Sequence, residues 1–247
     1  MSSRFDLAPF RRVTPGIETL STSLSLGRHR HLHPYATVVL AGTLDESGYT
    51  GRIRATAGDV LIHAALDCHR NHRASAGLKI IRLDWSDATG TGGFYRLDQI
   101  DDLAETAEKD VVAAKSLLEL GIRQKSVPSP AQKDDWPDRL LEDLCKDNQI
   151  DIGTWAAVNG LARETVSRGF ATAYGVTPSV LRAEVRARAA WLRITRGPDC
   201  LSRIAADTGF ADQPHMTRWV HRITGATPAA WRHRVSGNSR DAQPGFS

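Results

Sequence analysis

The sequence has few cysteines and no long apolar run. Its three cysteines (Cys68, Cys145 and Cys200) are odd in number, widely spaced and without a Cys-x-x-Cys pair, which predicts reduced thiols rather than a disulfide framework. No stretch of about 18 apolar residues is present, so the sequence predicts no transmembrane helix. Residues 1–10 lack the continuous apolar core of a signal peptide. We therefore expect a cytoplasmic protein with no membrane partner.

The positive charge of the chain is concentrated near its C-terminal end. The 247 residues are 41% hydrophobic and 24% charged, which is typical of a globular protein long enough for two domains. Residues 152–234 hold 12 Lys and Arg against 5 Asp and Glu, whereas residues 96–151 hold 8 against 14 and residues 1–95 hold 11 against 8. A surface that faces phosphates must be basic, and residues 152–234 meet that requirement.

Two segments of this basic region nearly repeat one another. The first runs from Trp155 to Phe170 and is followed by Gly175-Val-Thr-Pro178. The second runs from Arg203 to Trp219 and is followed by Gly225-Ala-Thr-Pro228. Each predicts a short apolar helix, a glycine turn and a second helix that carries Ser/Thr-Arg. The pair predicts two helix-turn-helix units, although a plain helical bundle is the alternative interpretation.

The spacing inside each segment supports this prediction. A small residue lets two helices approach, a glycine supports the turn, and an apolar residue anchors the second helix. These three positions are Ala156, Gly160 and Val166 in the first unit, and Ala205, Gly209 and Met216 in the second, whose turn is one residue longer. Asp151 is a candidate N-cap for the first unit. Pro178 predicts the start of a long helix that would hold the units at a fixed separation.

The second helix of each unit is expected to enter the major groove of DNA. The exposed face would present Arg163, Glu164, Ser167 and Arg168 in the first unit, and Gln213, Pro214, Thr217 and Arg218 in the second. Arginine can bind a guanine edge, glutamine an adenine edge, and Ser or Thr can hold phosphates. Because the two sets differ, the sequence predicts an asymmetric reader of a non-palindromic site.

The second segment closely resembles the signature of the AraC/XylS family of bacterial transcription regulators. The matching residues are Gly209-Phe-Ala-Asp-Gln-Pro-His-Met-Thr-Arg-Trp219, then Gly225-Ala-Thr-Pro-Ala-Ala-Trp-Arg232. The resemblance covers roughly residues 136–234. It implies seven helices, two recognition helices in successive major grooves, and double-stranded DNA and RNA polymerase as partners. Pro214 and Ala162 depart from the pattern, since the family usually has a small or polar residue and a Ser cap there.

The N-terminal part has a β-structure pattern. Short β-branched runs at residues 37–40, 59–62 and 78–83 are separated by glycines, which predicts a sandwich or barrel. Residues 97–120 change to helical spacing and are either a dimerisation element for a homodimer or a helix packed on its own barrel. Val127-Pro-Ser-Pro130 is the clearest linker.

The fold prediction is α+β with two domains. It divides the chain into a β-structured sensor domain at residues 1–95, a helical segment with linker at 96–135, a double helix-turn-helix domain at 136–235 and a disordered tail at 236–247.

Six of the nine histidines fall within one short part of the N-terminal domain: His29, His31, His33, His63, His69 and His72. In an extended strand the first three would point to one face. This region resembles a cupin, a small β-barrel. His29-Arg-His31, Tyr35 and Gly42 match the spacing of the first cupin motif, and Gly58 with His69 matches the second. Tyr35 occupies the position of the cupin carboxylate, and Ser23 that of the initial glycine.

The histidines lead to two hypotheses. In the first, His29, His31 and His69 bind a divalent transition metal such as zinc, iron, nickel or copper and leave an open coordination position. In the second, the histidines line a polar effector pocket without a metal. The remaining candidates for effector binding are Tyr35, His33, His63 and His72.

Three functions are compatible with these features. The leading one is a sequence-specific transcriptional regulator, not an enzyme, controlled by a small-molecule or metal effector in the cupin-like domain. The alternative is a metal-dependent cupin enzyme fused to a DNA-binding domain; the missing carboxylate in the first motif argues against it. The third is an architectural DNA binder without an effector.

Overall fold

The protein combines antiparallel sheets with a helical C-terminal region, as the α+β prediction requires. The computed structural model describes residues 9–20, 24–86, 92–125, 127–128, 135–147 and 149–240. Ser23 and the end of the predicted linker, residues 129–130, lie outside these ranges. Among the described residues, no helix has both the length and the apolar character needed to cross a bilayer.

The described strands form two antiparallel sheets. In order across the larger sheet they are β1 (Gly16–Leu20), β8 (Leu78–Asp84), β3 (Tyr35–Ala41), β6 (Asp59–His63), β9 (Gly93–Arg96) and β10 (Val127–Pro128). Across the smaller sheet they are β2 (Leu24–Arg30), β7 (Cys68–Ala74), β4 (Thr43–Gly48) and β5 (Gly51–Thr56). The three predicted strands are therefore confirmed as β3, β6 and β8. Val127 and Pro128, predicted as linker, pair with β9 instead.

Strand β3 shows how the larger sheet divides two hydrophobic layers. Val38 and Val39 are both fully buried, but they belong to different clusters. Val38 packs in the layer that also contains residues of the following helices, whereas Val39 packs with Leu44 and Ile53 of the smaller sheet. Because side chains alternate along a strand, Tyr35 lies on the same side as Val39. The interior between the two sheets contains four buried histidines, His29, His31, His63 and His69.

Two helices cover the other face of the larger sheet. These are α1 (Asp101–Lys109) and α2 (Val111–Lys125). Leu103 and Leu118 are buried with Ile81 of β8, which confirms the interpretation that this segment packs on its own sheet. Val112 and Leu120 remain exposed. A role for the segment in dimerisation stays a prediction.

Seven helices follow the sheets in the part of the chain that the structure describes. They are α3 (Trp136–Lys146), α4 (Ile152–Val158), α5 (Arg163–Tyr174), α6 (Pro178–Arg196), α7 (Leu201–Asp207), α8 (Gln213–Thr224) and α9 (Pro228–Arg240). The predicted disordered tail is wrong for residues 236–240, because helix α9 continues to Arg240. The rest of that tail, residues 241–247, lies outside the described residues.

Residue contacts divide the chain into two compact units. One contains the strands with α1 and α2, and the other contains α4 and α6–α9, while α3 and α5 are divided between them. In the helical unit, α6 packs against α7, α8 and α9. The predicted domain boundaries remain predictions.

Candidate functional site

The two glycine turns have the same backbone geometry. Gly160 has φ +67° and Gly209 has φ +80°, a left-handed conformation that favours glycine because other residues carry a Cβ atom. The residue after each glycine donates its amide to the carbonyl of an alanine five residues earlier, Ala156 or Ala205, over 2.9 Å in both units. Since this pattern closes the end of a helix, the repeat of the sequence is also a repeat of the turn.

Apolar anchors hold the second helix of each unit in place. Val166 of α5 and Met216 of α8 are fully buried, as are Phe170 and Val220 one turn later in the two helices. The small residues Ala156 and Ala205 are each only 1% exposed. The three predicted structural positions of each unit therefore have the burial and the turn geometry that a helix-turn-helix requires.

The longer turn of the second unit is completed by a side-chain cap. Asp212 precedes α8 and accepts the backbone amide of His215 over 2.6 Å. Asp151, the predicted N-cap of α4, likewise accepts the amide of Thr154 over 2.7 Å. Pro178 is the first residue of α6. These caps satisfy amides that the first helical turn leaves without partners.

The predicted DNA-contacting residues have matching exposures in the two units. Arg163, Glu164 and Arg168 are exposed on α5 and Ser167 is half-buried; Gln213, Pro214 and Arg218 are exposed on α8 and Thr217 is half-buried. In the part of the chain that the structure describes, neither Arg168 nor Arg218 makes an ion pair. Pro214 lies in the first turn of α8, where its missing N–H costs no helical hydrogen bond. Both helices thus offer a polar face opposite their buried anchors.

Buried aromatic and imidazole rings lie together between the sheets. The His69 ring centroid is 4.4 Å from that of His29 and 4.4 Å from that of His63, while His31 and Tyr35 are 4.6 Å apart. Strand pairing produces this group, because His29 on β2 stands opposite His69 on β7, and Tyr35 on β3 stands opposite His63 on β6. The structure therefore brings together all three predicted metal ligands and two of the predicted effector residues.

Hydrogen bonds orient two of the three candidate metal ligands. His29 bonds through Nδ1 to the carbonyl of Gly27 at 2.8 Å, and His31 through Nδ1 to that of Arg11 at 2.7 Å. A carbonyl can only accept, so each Nδ1 carries the proton and each Nε2 carries a lone pair. Within the described residues, His31 Nε2 and His69 Nδ1 are buried without a hydrogen-bond partner. Such orphaned nitrogens fit ligation of a metal ion.

The buried histidines are uncharged at neutral pH. Burial lowers the pKa of His31 to about 4 and that of His63 to about 3, because an imidazolium ion loses its hydration. Burial also lowers the pKa of His29 and holds that of His69 well below its usual range. Neutral imidazole is the form that binds metals.

The cluster contains a carboxylate that the sequence reasoning missed. Glu46 of β4 is only 4% exposed and accepts a hydrogen bond from Asn71 Nδ2 at 3.1 Å. Its two oxygens lie 3.7 Å from His63 Nδ1 and 3.7 Å from His69 Nε2. The cupin spacing directed attention to Tyr35, whereas Glu46 arrives from a different strand. The sequence carries only a weak indication of this site. Glu46 lies in a run between Gly42 and Gly48, but an Asp45-Glu46 pair in such a short strand is usually exposed to solvent.

The cluster borders a cavity of about 430 Å³ between the two sheets. His29, His31, His69 and Tyr35 line it together with Glu46. Three arginines also line the cavity, Arg11, Arg12 and Arg82, and Arg82 forms an ion pair with Glu18. The apolar part of the lining includes Leu20, Leu26, Leu78 and Ile80. A volume of this size suits a small-molecule ligand.

Two predicted effector residues lie outside the cluster. Strand β2 ends at Arg30, so the expected alternation stops before His33, which is exposed in the following bend. His72 is exposed on β7, where its Nε2 bonds to Ser47 Oγ at 2.8 Å and accepts from Arg70 Nε at 3.0 Å. His63 is buried and stacks on Tyr35 with centroids 4.5 Å apart.

Duplicated helix-turn-helix units with matching exposed arginines define a DNA-binding protein. Residues 155–234 match the family model described as a helix-turn-helix domain. This part of the chain is therefore a helix-turn-helix domain.

Several solved structures are similar to the chain. ToxT from Vibrio cholerae, with a bound unsaturated fatty acid, is 10% identical with a TM-score of 0.39, over 91% of this chain and 96% of that one. The DNA-binding domain of AdpA in complex with a target DNA is 23% identical with a TM-score of 0.39, over 45% of this chain and 100% of that one. A probable AraC family transcriptional regulator from Rhodopseudomonas palustris is 20% identical with a TM-score of 0.37, over 39% of this chain and 93% of that one. Comparison with curated proteins finds no match.

Proposed function

We propose that the protein is a cytoplasmic, sequence-specific transcriptional regulator whose sheet domain binds an effector in the cavity between its sheets. The observation that carries this proposal is the duplicated helix-turn-helix, with Arg168 and Arg218 exposed at equivalent positions of α5 and α8. Double-stranded DNA is the principal partner, and RNA polymerase and a second copy of the chain are further proposed partners.

The two recognition helices read different bases. On α5, Arg168 and Arg163 bind guanine edges, Glu164 accepts a hydrogen bond from a cytosine amino group and Ser167 contacts a phosphate. On α8, Arg218 has the guanine role, Gln213 suits adenine, Thr217 suits a phosphate and Pro214 offers an apolar contact to a thymine methyl. The operator is therefore asymmetric, with one half-site for each helix.

A double substitution tests the DNA-reading proposal. Genome-wide mapping of binding sites with the full chain first supplies the operator. Arg168→Ala with Arg218→Ala is then expected to weaken operator binding by at least about 30-fold, because each arginine–guanine pair contributes about 1–3 kcal/mol. Gel-shift titration at fixed salt measures the loss, and circular dichroism checks the fold.

The matched control removes a positive charge outside the helical region. Arg54 lies on β5 with a side chain that is 60% exposed, so Arg54→Ala should leave operator affinity within about twofold. Unchanged operator affinity and specificity in the double variant would contradict the proposal that these arginines read the DNA.

We further propose that His29, His31 and His69 bind a divalent transition metal as effector or as part of the effector site. The orphaned His31 Nε2 and His69 Nδ1 support this assignment. The carbonyl partners of His29 and His31 support it as well, since they fix the tautomer that leaves Nε2 available. Three imidazoles leave a coordination position for a ligand from the cavity. Tyr35 and His63 belong to the same effector site.

A further inference from the structure

A second set of buried metal-binding side chains lies beside the three histidines. Glu46, His63 and His69 come from strands β4, β6 and β7, and each offers one donor atom within 4.8 Å of the others. All three are less than 5% exposed. This set shares His69 with the three-histidine set and adds a carboxylate.

The distances in this set suit an ion better than direct hydrogen bonds. The two Glu46 oxygens are 3.7 Å from His63 Nδ1 and 3.7 Å from His69 Nε2, which is too long for a hydrogen bond. Two ligand atoms that each lie about 2.1 Å from a tetrahedral ion are roughly 3.4 Å apart. Each imidazole nitrogen therefore lies about as far from Glu46 as a shared ion would require, and all three donor atoms lie within 4.8 Å of one another.

The burial of Glu46 also favours a cation. The residue is 4% exposed, and its carboxyl group accepts a hydrogen bond from Asn71 Nδ2. A carboxylate that is removed from water needs a compensating positive charge. A divalent cation bound between Glu46 and the two imidazoles would supply that charge.

We propose that Glu46, His63 and His69 form a mixed carboxylate–imidazole site for a divalent transition-metal ion, bound through the Glu46 carboxylate, His63 Nδ1 and His69 Nε2. Two imidazoles and one carboxylate suit zinc, iron(II) or cobalt(II). The Tyr35 hydroxyl, 3.3 Å from His69 Nε2, is a fourth donor beside the same nitrogen.

The shared histidine links the two sites. The mixed site uses His69 Nε2, whereas the orphaned Nδ1 is the atom available to His29 and His31. One ring can serve two ions only as an imidazolate, after its N–H proton has passed to solvent. Occupation of one site alone needs only the neutral ring.

Cobalt(II) titration of the full chain tests the mixed site. The metal-stripped protein is titrated with Co²⁺ by visible absorption and with Zn²⁺ by calorimetry. The background is His29→Gln with His31→Gln, which removes two of the three ligands of the other site. This double variant is expected to bind one ion. Addition of Glu46→Gln or of His63→Gln should weaken that binding at least tenfold. Addition of Glu18→Gln, an acid that borders the same cavity, should change nothing.

The outcomes separate the possibilities. Loss of the ion on addition of Glu46→Gln or His63→Gln, but not Glu18→Gln, supports the mixed site. The mixed site is overturned if the double variant binds no ion. It is also overturned if the double variant still binds the ion equally well after addition of Glu46→Gln and after addition of His63→Gln. If circular dichroism shows that the double variant is unfolded, the single variant His29→Gln becomes the background: weaker metal binding on addition of Glu46→Gln but not of Glu18→Gln supports the mixed site, and equal binding in both overturns it. Operator binding is measured separately, so failure here leaves the DNA-reading proposal intact.

Discussion

At the residue scale, identical side chains differ in chemistry because their surroundings differ. The three cysteines illustrate this: Cys68 on β7 is 1% exposed, whereas Cys145 and Cys200 are exposed, and none forms a disulfide. A hydrogen bond with Ser202 and the backbone at the start of α7 lower the pKa of Cys200. Since the thiolate is the reactive form, position in the fold ranks the three thiols in reactivity.

We predict that N-ethylmaleimide labels Cys200 fastest, Cys145 next and Cys68 only after unfolding. A lowered pKa means that the Cys200 thiolate persists to lower pH, so its labelling rate should fall off at a lower pH than that of Cys145. Mass spectrometry of timed samples measures the rates, with Cys200→Ser as control. Labelling of Cys68 in the native protein at the rate of Cys145 would contradict the buried position of β7.

At the scale of the element, the helix-turn-helix depends on backbone conformations as much as on packing. Gly160 ends α4 with a positive φ, and a Cβ atom added there would meet no atom within 4 Å. A substitution at this position therefore tests backbone strain alone. Gly27 on β2 is equally open but has no positive φ, so it provides a matched comparison.

Gly160→Ala should lower the free energy of unfolding by about 1–2 kcal/mol, because a residue with a Cβ atom is strained in the left-handed region. Gly160→Asn should cost less, since asparagine tolerates that region better. Urea denaturation measures both, and Gly27→Ala should stay within about 0.5 kcal/mol of the unsubstituted chain. Equal stabilities for Gly160→Ala and Gly27→Ala would argue against a strained turn.

At the scale of the whole molecule, an ion bound only by the folded chain stabilises that state. The three-histidine site needs strands β2 and β7 and the residues around His31, so an unfolded chain does not present it. Binding is therefore linked to folding.

Zinc at about 100 times its dissociation constant should stabilise the full chain by about 2.7 kcal/mol and raise its Tm by roughly 5–10 °C. His31→Gln should reduce this shift, whereas His33→Gln, which alters an exposed histidine, should keep it. Differential scanning calorimetry with and without Zn²⁺ measures the shifts. A Tm that zinc leaves unchanged in the unsubstituted chain would argue against the metal assignment.

The sequence alone predicted the helical region well. The positions of Asp151, Gly160, Pro178 and Gly209 specify caps and turns through interactions within a few residues, and the internal repeat supplies the glycine turn twice. The anchors Val166 and Met216 followed from the same spacing. These features could be recognised because helices and their turns are determined by local interactions.

The histidine cluster was only partly accessible from the sequence. Cupin-like spacing identified His29, His31 and His69, but the partnership of His69 with Glu46 depends on β4 lying beside β7. No local rule gives that pairing, because strands distant in sequence meet only when the sheets assemble. The same applies to His33, which the end of β2 leaves exposed.

The sequence by itself thus determined the double helix-turn-helix and the class of protein, since a repeated local pattern carries that information. Only the tertiary structure decided which buried side chains surround the cavity and that Glu46 joins His63 and His69. The physical reason is that strand pairing and burial, not spacing along the chain, set the distances between those donor atoms.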